Sequence, residues 1–520
     1  MGAAEETEGT RKPRLAVRIP RPCLSSSTSE EDGEPLSPAA RLFRQPQLNC
    51  HIIAFFGFAK VVGEEIKAGL EATLLRHPRF SSVQVTGKAG LRWVRTKVNL
   101  DDHVVYPDLG GGGGGDSTEG DRLVEDYAAS LCRSPLDPSR PLWDLHILAV
   151  RTSEAACVAI FRIHHSLGDG ISLMSLFLAC TRRTSDPLSL PSIPEARRRP
   201  AVAAAGTGLR VLLLWLWTII VYAWNTLVDM FIFVASTAIL KDTKTAIKGT
   251  HGVENRPKRF VHRTLCLDDL KAIKNDMGCV IFSYSFLYLN SNSLLSVCKL
   301  TVRGNAPQTI NDVLVGVMSA ALSRYLSRTS GSILPKNLRI RSTLLVNIRP
   351  TTGIQELAEM MKEGSGAKWG NQLGYILLPF PVMKCDNPLE YVRKGTAVAE
   401  RKKKSLEAMF TYASALLIVK TLGIKAAALL CYKIVSNTSF SFSNLVGPTE
   451  EVGFCGSPLV YIAPTVYGHP QALTVHFQSY MNKMKVVVAV DELVIPDPHK
   501  LLDDIADSLR LIKDAAAAGS

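Results

Sequence analysis

No Gly-x-Ser-x-Gly elbow occurs in these 520 residues, so no serine nucleophile of the α/β-hydrolase kind is advertised. Cys-x-x-Cys and His-Glu-x-x-His are missing too, which removes the common zinc spacings. The cysteines number eleven, an odd count without paired spacing, which reads as reduced, cytosol-facing usage and not a disulfide framework. A polar N-terminus lacks the apolar stretch of a signal peptide. Met1-Gly2 opens like a myristoylation signal, but Glu6 stands where Ser or Thr is wanted. The six-glycine run Gly110 to Gly115 has no Lys-Ser/Thr behind it and reads as a flexible insertion, not a phosphate cradle. No tandem repeat is present.

What is present is ample for more than one core, so two domains are the default expectation at this length. Lys and Arg outnumber Asp and Glu by 60 to 47, a net charge of +13 that suits an anionic partner. Nucleic acid, an acidic membrane surface and a polyphosphate-bearing ligand such as coenzyme A are the candidates. Nucleic acid is the weakest, because the basic residues are scattered and no recognition motif accompanies them.

One short run dominates the chemistry: His164-His165-Ser166-Leu167-Gly168-Asp169-Gly170. It spells His-His-x-x-x-Asp-Gly, which chance supplies in a chain this long well under about one time in a hundred. The apolar run 156–163 before it reads as a buried strand, and 171–180 after it as a helix. The motif therefore occupies a strand-to-helix turn, where Gly168 and Gly170 permit tight backbone geometry. An imidazole neutral near pH 7 can take the proton from a hydroxyl as that hydroxyl attacks a carbonyl carbon. The carboxylate four residues past His165 either braces the turn or fixes the imidazole tautomer. A structural histidine pair and a metal site are the competing readings; no further ligand cluster supports the metal.

Along the chain, residues 1–33 are polar and Pro/Ser-bearing and are expected to be disordered. Helical periodicity marks 64–76, 122–132, 267–275, 309–326 and 498–516. Strands are expected at 141–147, pairing with the strand before the motif, and at 344–348, 439–448, 473–480 and 486–490. Pro187 to Pro200 reads as a linker and domain boundary. It is followed by about thirty mostly apolar residues, Val211 to Leu240, with Trp215, Trp217 and Trp224 in the first half. That length permits a transmembrane span, yet Asn225 and Asp229 form a polar stripe better suited to a helix in the membrane interface. A helix buried between domains is the third reading. The charge run Arg401 to Lys404 reads as a solvated helix face.

Several further blocks accompany the motif: Glu34-Pro35-Leu36-Ser37-Pro38, Leu75-Arg76-His77-Pro78-Arg79-Phe80-Ser81, Pro141-Leu142-Trp143, Asn347-Ile348-Arg349-Pro350, Gly370-Asn371 and Gly468-His469-Pro470. Together, over about 34 to 515, the chain resembles the plant-type wax ester synthase/diacylglycerol acyltransferase family. The resemblance implies the two-domain α/β fold of CoA-dependent acyltransferases, chloramphenicol-acetyltransferase-like, with a channel at the domain interface. It divides the chain into 34–190, carrying the motif, and 256–515, joined by the linker and apolar segment 191–255. It casts His165 as general base, His164 as its supporting neighbour and Asp169 in a structural part. Gly170, Asn347, Arg349 and Asn371 fall on motif positions of supporting role.

By the same resemblance the substrates are acyl-CoA and a long-chain alcohol or diacylglycerol. Neither cofactor nor metal is implied, and the implied location is the cytosolic face of the endoplasmic reticulum membrane, with the plasma membrane as alternative. A different acceptor, or a lipid-binding relative without turnover, are the alternative functions. A plant acyltransferase of specialised metabolism would carry Asp-Phe-Gly-Trp-Gly, which is absent, and a condensation domain would sit beside carrier domains. The chain departs from the family pattern at 280–308, a Ser/Asn-rich stretch whose ends are compatible with in-frame GT and AG. It reads as a retained intron, with a genuine surface loop as the alternative.

Overall fold

Strand β7 (Cys157–His164), which delivers the motif, is buried along nearly its whole length. Its sequence is accordingly a mostly apolar run and not an alternation, as expected where both faces of a sheet are covered, and its one cation, Arg162, is paired with Asp144 of the neighbouring strand. It lies inside a seven-stranded sheet ordered β5 (Val104–Val105), β6 (Trp143–Leu148), β7, β2 (His51–Phe58), β16 (Ser457–Tyr467), β15 (Val452–Phe454) and β8 (Arg182–Arg183). A second, six-stranded sheet runs β13 (Leu373–Pro379), β12 (Arg341–Asn347), β14 (Phe440–Leu445), β17 (Leu473–Tyr480), β18 (Lys483–Val490) and β9 (Arg259–Cys266). β1 (Glu34–Pro35), β3 (Ser82–Gly87) and β4 (Gly90–Arg95) make a small third sheet. These coordinates are a computed structural model that describes residues 33–518 apart from 89, 110–116, 195–208, 278–281, 290–294, 303–308, 332–333, 336 and 350–368. The expected tail up to residue 32, the glycine run and Pro350 lie outside the described residues.

The helices among the described residues are α1 (Pro38–Phe43), α2 (Glu65–Ala72), α3 (Ser117–Leu131), α4 (Gly170–Cys180), α5 (Leu209–Ala235), α6 (Leu267–Asp276), α7 (Ile310–Thr329), α8 (Leu389–Lys403), α9 (Glu407–Thr421), α10 (Gly423–Ser436) and α11 (Pro498–Ala518). Helices α6, α7, α8 and α11 pack on the second sheet, with Leu270, Val313, Val392 and Ile505 in one core. α7 begins at a capping signal: the Thr309 backbone N–H donates to Asp312 Oδ2 at 2.8 Å, one arm of a capping box.

The first sheet takes strands from both sides of the expected domain boundary. β16 comes from the C-terminal half, yet it pairs antiparallel with β2 from His51↔Tyr467 to Phe58↔Leu459. Ile53, Phe55 and Ile160 of the first sheet then meet Phe260, Val487 and Ala489 of the second in a common core. A boundary placed from the Pro/Arg linker cannot anticipate this, because a strand's partner is not written in its own period.

Within 280–308 the described residues are two strands, β10 (Phe282–Leu289) and β11 (Leu295–Val302), which pair antiparallel with each other and join neither large sheet. On either side of the segment, Met277 and Val313 belong to the same core.

One of the three readings of the apolar helix falls away, and one expectation about charge needs correction. α5 is not buried between domains: Trp224 is 67% exposed and Phe231 74%. Leu212–Ala235 has a mean hydropathy of 1.7 and is long and apolar enough to cross a membrane. Nor is the run Arg401 to Lys404 a solvated face. Asp229 of α5, fully buried, accepts from Arg401 Nη2 at 2.6 Å and Lys402 Nζ at 2.9 Å. Lys402 also pairs with buried Glu407 at 2.6 Å, and Lys403 with Asp312 at 2.8 Å. Asn225 Nδ2 donates to Lys404 O at 3.2 Å. The polar stripe of α5 is thus its anchor to the protein.

Candidate active site

The site begins where β7 ends. His51 and His164 are paired residues of β2 and β7, so Asn49, just before β2, comes beside the motif. His164 is buried and both its ring nitrogens are engaged: Nε2 with Asn49 Oδ1 at 2.9 Å and Nδ1 with Ser166 Oγ at 2.6 Å. Because Asn49 Oδ1 only accepts, Nε2 carries the proton and Nδ1 accepts, including from the Ser166 backbone N–H at 3.2 Å. Gln84 Nε2 in turn donates to Ser166 Oγ at 2.7 Å. His164 is thereby fixed in one tautomer, and no ring nitrogen is left over for a metal.

His165 differs in every respect that matters chemically. Its imidazole stacks on Phe43 of α1 with centroids 4.2 Å apart, and its buried Nδ1 has no hydrogen-bond partner among the described residues. The backbone alone is held: its N–H donates to Cys50 O at 2.9 Å, and its carbonyl accepts from Asn371 Nδ2 at 2.9 Å. Burial lowers the pKa of both motif histidines, His164 well below the ordinary value, with neighbouring cations and histidines adding to the effect there. Both are neutral at pH 7, and His165 alone has a ring nitrogen left without a partner among the described residues.

Asp169 braces the turn and does not touch an imidazole. It caps α4, its Oδ1 accepting from the Ser172 N–H at 2.9 Å. Its Oδ2 accepts from the Gln372 N–H at 3.1 Å and faces Arg349 Nη2 at 2.8 Å, with both side chains buried. Arg349 also donates to Asn347 Oδ1 at 3.0 Å, to Ser172 Oγ at 3.1 Å and to the Gly370 carbonyl. The structure therefore brings Asp169, Asn347, Arg349 and Asn371 into one cluster around the turn. Of the choices open in the sequence, brace or tautomer selector, Asp169 geometry matches the brace.

The glycines act otherwise than expected. Neither Gly168 nor Gly170 has a left-handed backbone; Gly370 does, at φ +115°. Gly170 instead leaves room for Leu445, whose Cδ1 would lie 3.1 Å from an added Cβ. Asn49, Gln84, Ser166 and Phe43 were not singled out from sequence, and no local pattern marks them. Asn49, Gln84 and Phe43 reach the motif only through strand pairing or helix packing, while Ser166 is one of the motif's own variable positions, two residues past His164.

A cavity of about 750 Å³ opens over the turn, with Ser166, Leu167 and Asn371 in its floor and α1, α9 and α10 in its walls. Its lining does not include the His165 ring, which stacks on Phe43. The volume is ample for a drug-sized apolar ligand.

Residues 57–282 match the wax ester synthase/diacylglycerol acyltransferase catalytic domain, and 369–513 match the WS/DGAT C-terminal domain. Wax ester synthase/diacylglycerol acyltransferase 4 of Arabidopsis thaliana is 45% identical over 95% of this chain and 92% of its own length. Number 11 of the same organism is 46% identical over 93% and 95%. Among solved structures, the wax ester synthase/diacylglycerol acyltransferase of Marinobacter aquaeolei VT8 superposes with a TM-score of 0.55 at 16% identity, covering 93% of this chain and all of that one. The starter condensation domain of rhizomide synthetase gives a TM-score of 0.52 at 13% identity, covering 94% and 95%. Those two likenesses show the two-domain α/β acyltransferase fold, and the sequence matches go further. With its His-His-x-x-x-Asp-Gly turn set at the junction of two such sheets, the chain belongs to the wax ester synthase/diacylglycerol acyltransferase family of acyl-CoA-dependent O-acyltransferases.

Proposed function

We propose that this enzyme transfers a fatty acyl group from acyl-CoA to a long-chain alcohol or diacylglycerol, with His165 as general base. The observation that carries the role is the contrast between the two histidines: His164 has both nitrogens bonded, while His165 is neutral with an unpartnered ring nitrogen. His165 takes the acceptor's hydroxyl proton as its oxygen attacks the thioester carbonyl. The tetrahedral intermediate collapses, the C–S bond breaks, and the imidazolium returns the proton to the departing CoA sulfur. His164, Asp169, Arg349 and Asn371 keep the turn in place. Acyl-CoA is a substrate, and the chemistry calls for no metal or cofactor.

The bilayer is the proposed second partner. Trp215, Trp217 and Trp224 suit a headgroup-level position, and the apolar acceptors reside in membrane. Asp229 alone at the bilayer centre would cost about 2.5–3.5 kcal/mol, but here it is paired with Arg401 and Lys402. The reading is α5 docked on the cytosolic face of the endoplasmic reticulum membrane, where acyl-CoA is at hand. Purified protein given acyl-CoA with a long-chain alcohol, or with diacylglycerol, tests the function: ester identified by mass spectrometry supports it. No product from either acceptor would leave a different acceptor or a non-catalytic lipid binder.

A further inference from the structure

Helix α9 breaks the rule that an exposed helix keeps a polar face. Between its buried first residue, Glu407, and Lys420 it carries Ala, Met, Phe, Thr, Tyr, Ser, Leu, Ile and Val only. The two aliphatic hydroxyls are spent within the protein, Thr411 on the Tyr375 and Ala408 carbonyls and Ser414 on the Thr411 carbonyl. A helix apolar all round belongs in a core or in lipid. This one is not in a core: only Glu407 and Thr411 are buried, while Met409 is 52% and Leu417 61% exposed.

Its surroundings point to lipid. α9 adjoins α5, the Leu406 N–H donating to Thr226 Oγ1 at 3.0 Å and Phe410 meeting Phe233 edge-on at 6.0 Å. Leu422 and Leu429 continue the exposed apolar surface beyond it. From Ala408 to Ser436 the chain has three lysines, Lys420, Lys425 and Lys433, all exposed, and no carboxylate. That is the charge pattern of a surface facing anionic headgroups. At fifteen residues the helix is about 22 Å long, too short for the ~30 Å hydrocarbon core, so it lies along the interface. Meanwhile its other face, with Tyr412, Ala415 and Val419, walls the cavity over the motif.

We propose that α9 is a second membrane-seated element beside α5, and that the apolar acceptor passes sideways from the bilayer across α9 into the cavity. This rests on the acyltransferase reading above and adds the acceptor's route. A protein with this wall needs no aqueous transfer of a water-insoluble alcohol; the substrate exchanges one apolar medium for another.

The test uses the full chain with vesicles containing some anionic lipid and a long-chain alcohol, against hexanol in solution as control acceptor. Met409 and Leu417 face outward and do not line the cavity. The double variant M409E/L417E is expected to lose about tenfold or more in ester formation from the vesicle-borne alcohol, with the hexanol rate unchanged. Equal retention on both acceptors overturns the proposal. Should the double variant fail to fold, L417W in vesicles of brominated lipid decides: added tryptophan quenching over the parent supports seating, and none overturns it. Absence of quenching in the parent itself would instead remove the docking of α5. Absence of ester from either acceptor in the parent would remove the acyltransferase reading.

Discussion

Arg349 Nη2 stands 2.8 Å from Asp169 Oδ2, and both side chains are almost wholly buried. This pair ties the loop after β12 to the turn after β7, so the two sheets are joined at the motif. Removing one member of a buried pair leaves an uncompensated charge, at a typical cost of about 3–5 kcal/mol. Arg349→Met is therefore expected to lower stability by about that much in denaturant unfolding and to depress turnover. Asp169→Asn keeps a side-chain oxygen for the Ser172 cap and is expected to unfold less readily than Asp169→Ala. Wild-type stability in Arg349→Met would show that the pair is idle.

His165→Ala is expected to lower the rate of ester formation by about 10²–10⁴, the usual cost of losing a general base. Folding should be little affected, since its Nδ1 has no hydrogen-bond partner among the described residues whose loss would leave a buried group orphaned. His164→Ala should be milder, and Asp169→Ala should reduce stability and rate together. Turnover at the parent rate in His165→Ala would eliminate it as the base.

Acid should unfold this protein early. Burial holds His51 and His469 down to about 4 and His77 and His476 to about 3. Between those values and about 6.5 the unfolded chain binds more protons, so stability falls as pH falls. Each such histidine costs up to about 1.4 kcal/mol per pH unit over that window. Calorimetry at pH 7, 6 and 5 should show a steep decline in Tm below pH 6.5; a flat profile would contradict neutral burial. The lowered pKa of His165 keeps it a base below 6.5, so kcat should hold there for as long as the fold survives.

Deleting 280–308 should leave a protein as stable and as active as the full chain. The strand pair β10–β11 joins neither large sheet, while Met277 and Val313 on either side share a core without it. An inserted segment of this length carries only a modest closure cost. A fall of several degrees in Tm on deletion would give the segment a structural part, and transcript reads across the junction would show whether it is translated.

Membrane attachment through α5 predicts recovery of tagged protein in the membrane fraction. Release by carbonate fits docking, and retention until detergent fits spanning. Recovery in the soluble fraction from the outset would defeat the assignment.

Much of the site was legible in the sequence because it is local. His164 to Gly170 is seven consecutive residues, and a buried strand before it and a helix after it are enough to make it a turn. Helices α7 and α11 were legible for the same reason, their apolar residues recurring at helical spacing beside a cap or a proline. What the chain could not announce is what comes from elsewhere in space. β16 completes the first sheet through its pairing with β2, and a strand's period does not name its partner. The proposed base role rests on Asn49 and Ser166 engaging both nitrogens of His164 while the His165 ring stacks on Phe43; Ser166 is local to the motif, but Asn49 and Phe43 converge on it only when β2, β7 and α1 pack. Arg401 to Lys404 looked solvated because its counter-charge, Asp229, lies far away in the chain. α9 has no period at all, since it is apolar on every side. Sequence determined the family, the turn and the reacting residue type; tertiary structure decided which histidine is free, what braces it and which helix walls the cavity, because those depend on contacts between segments that local pattern does not encode.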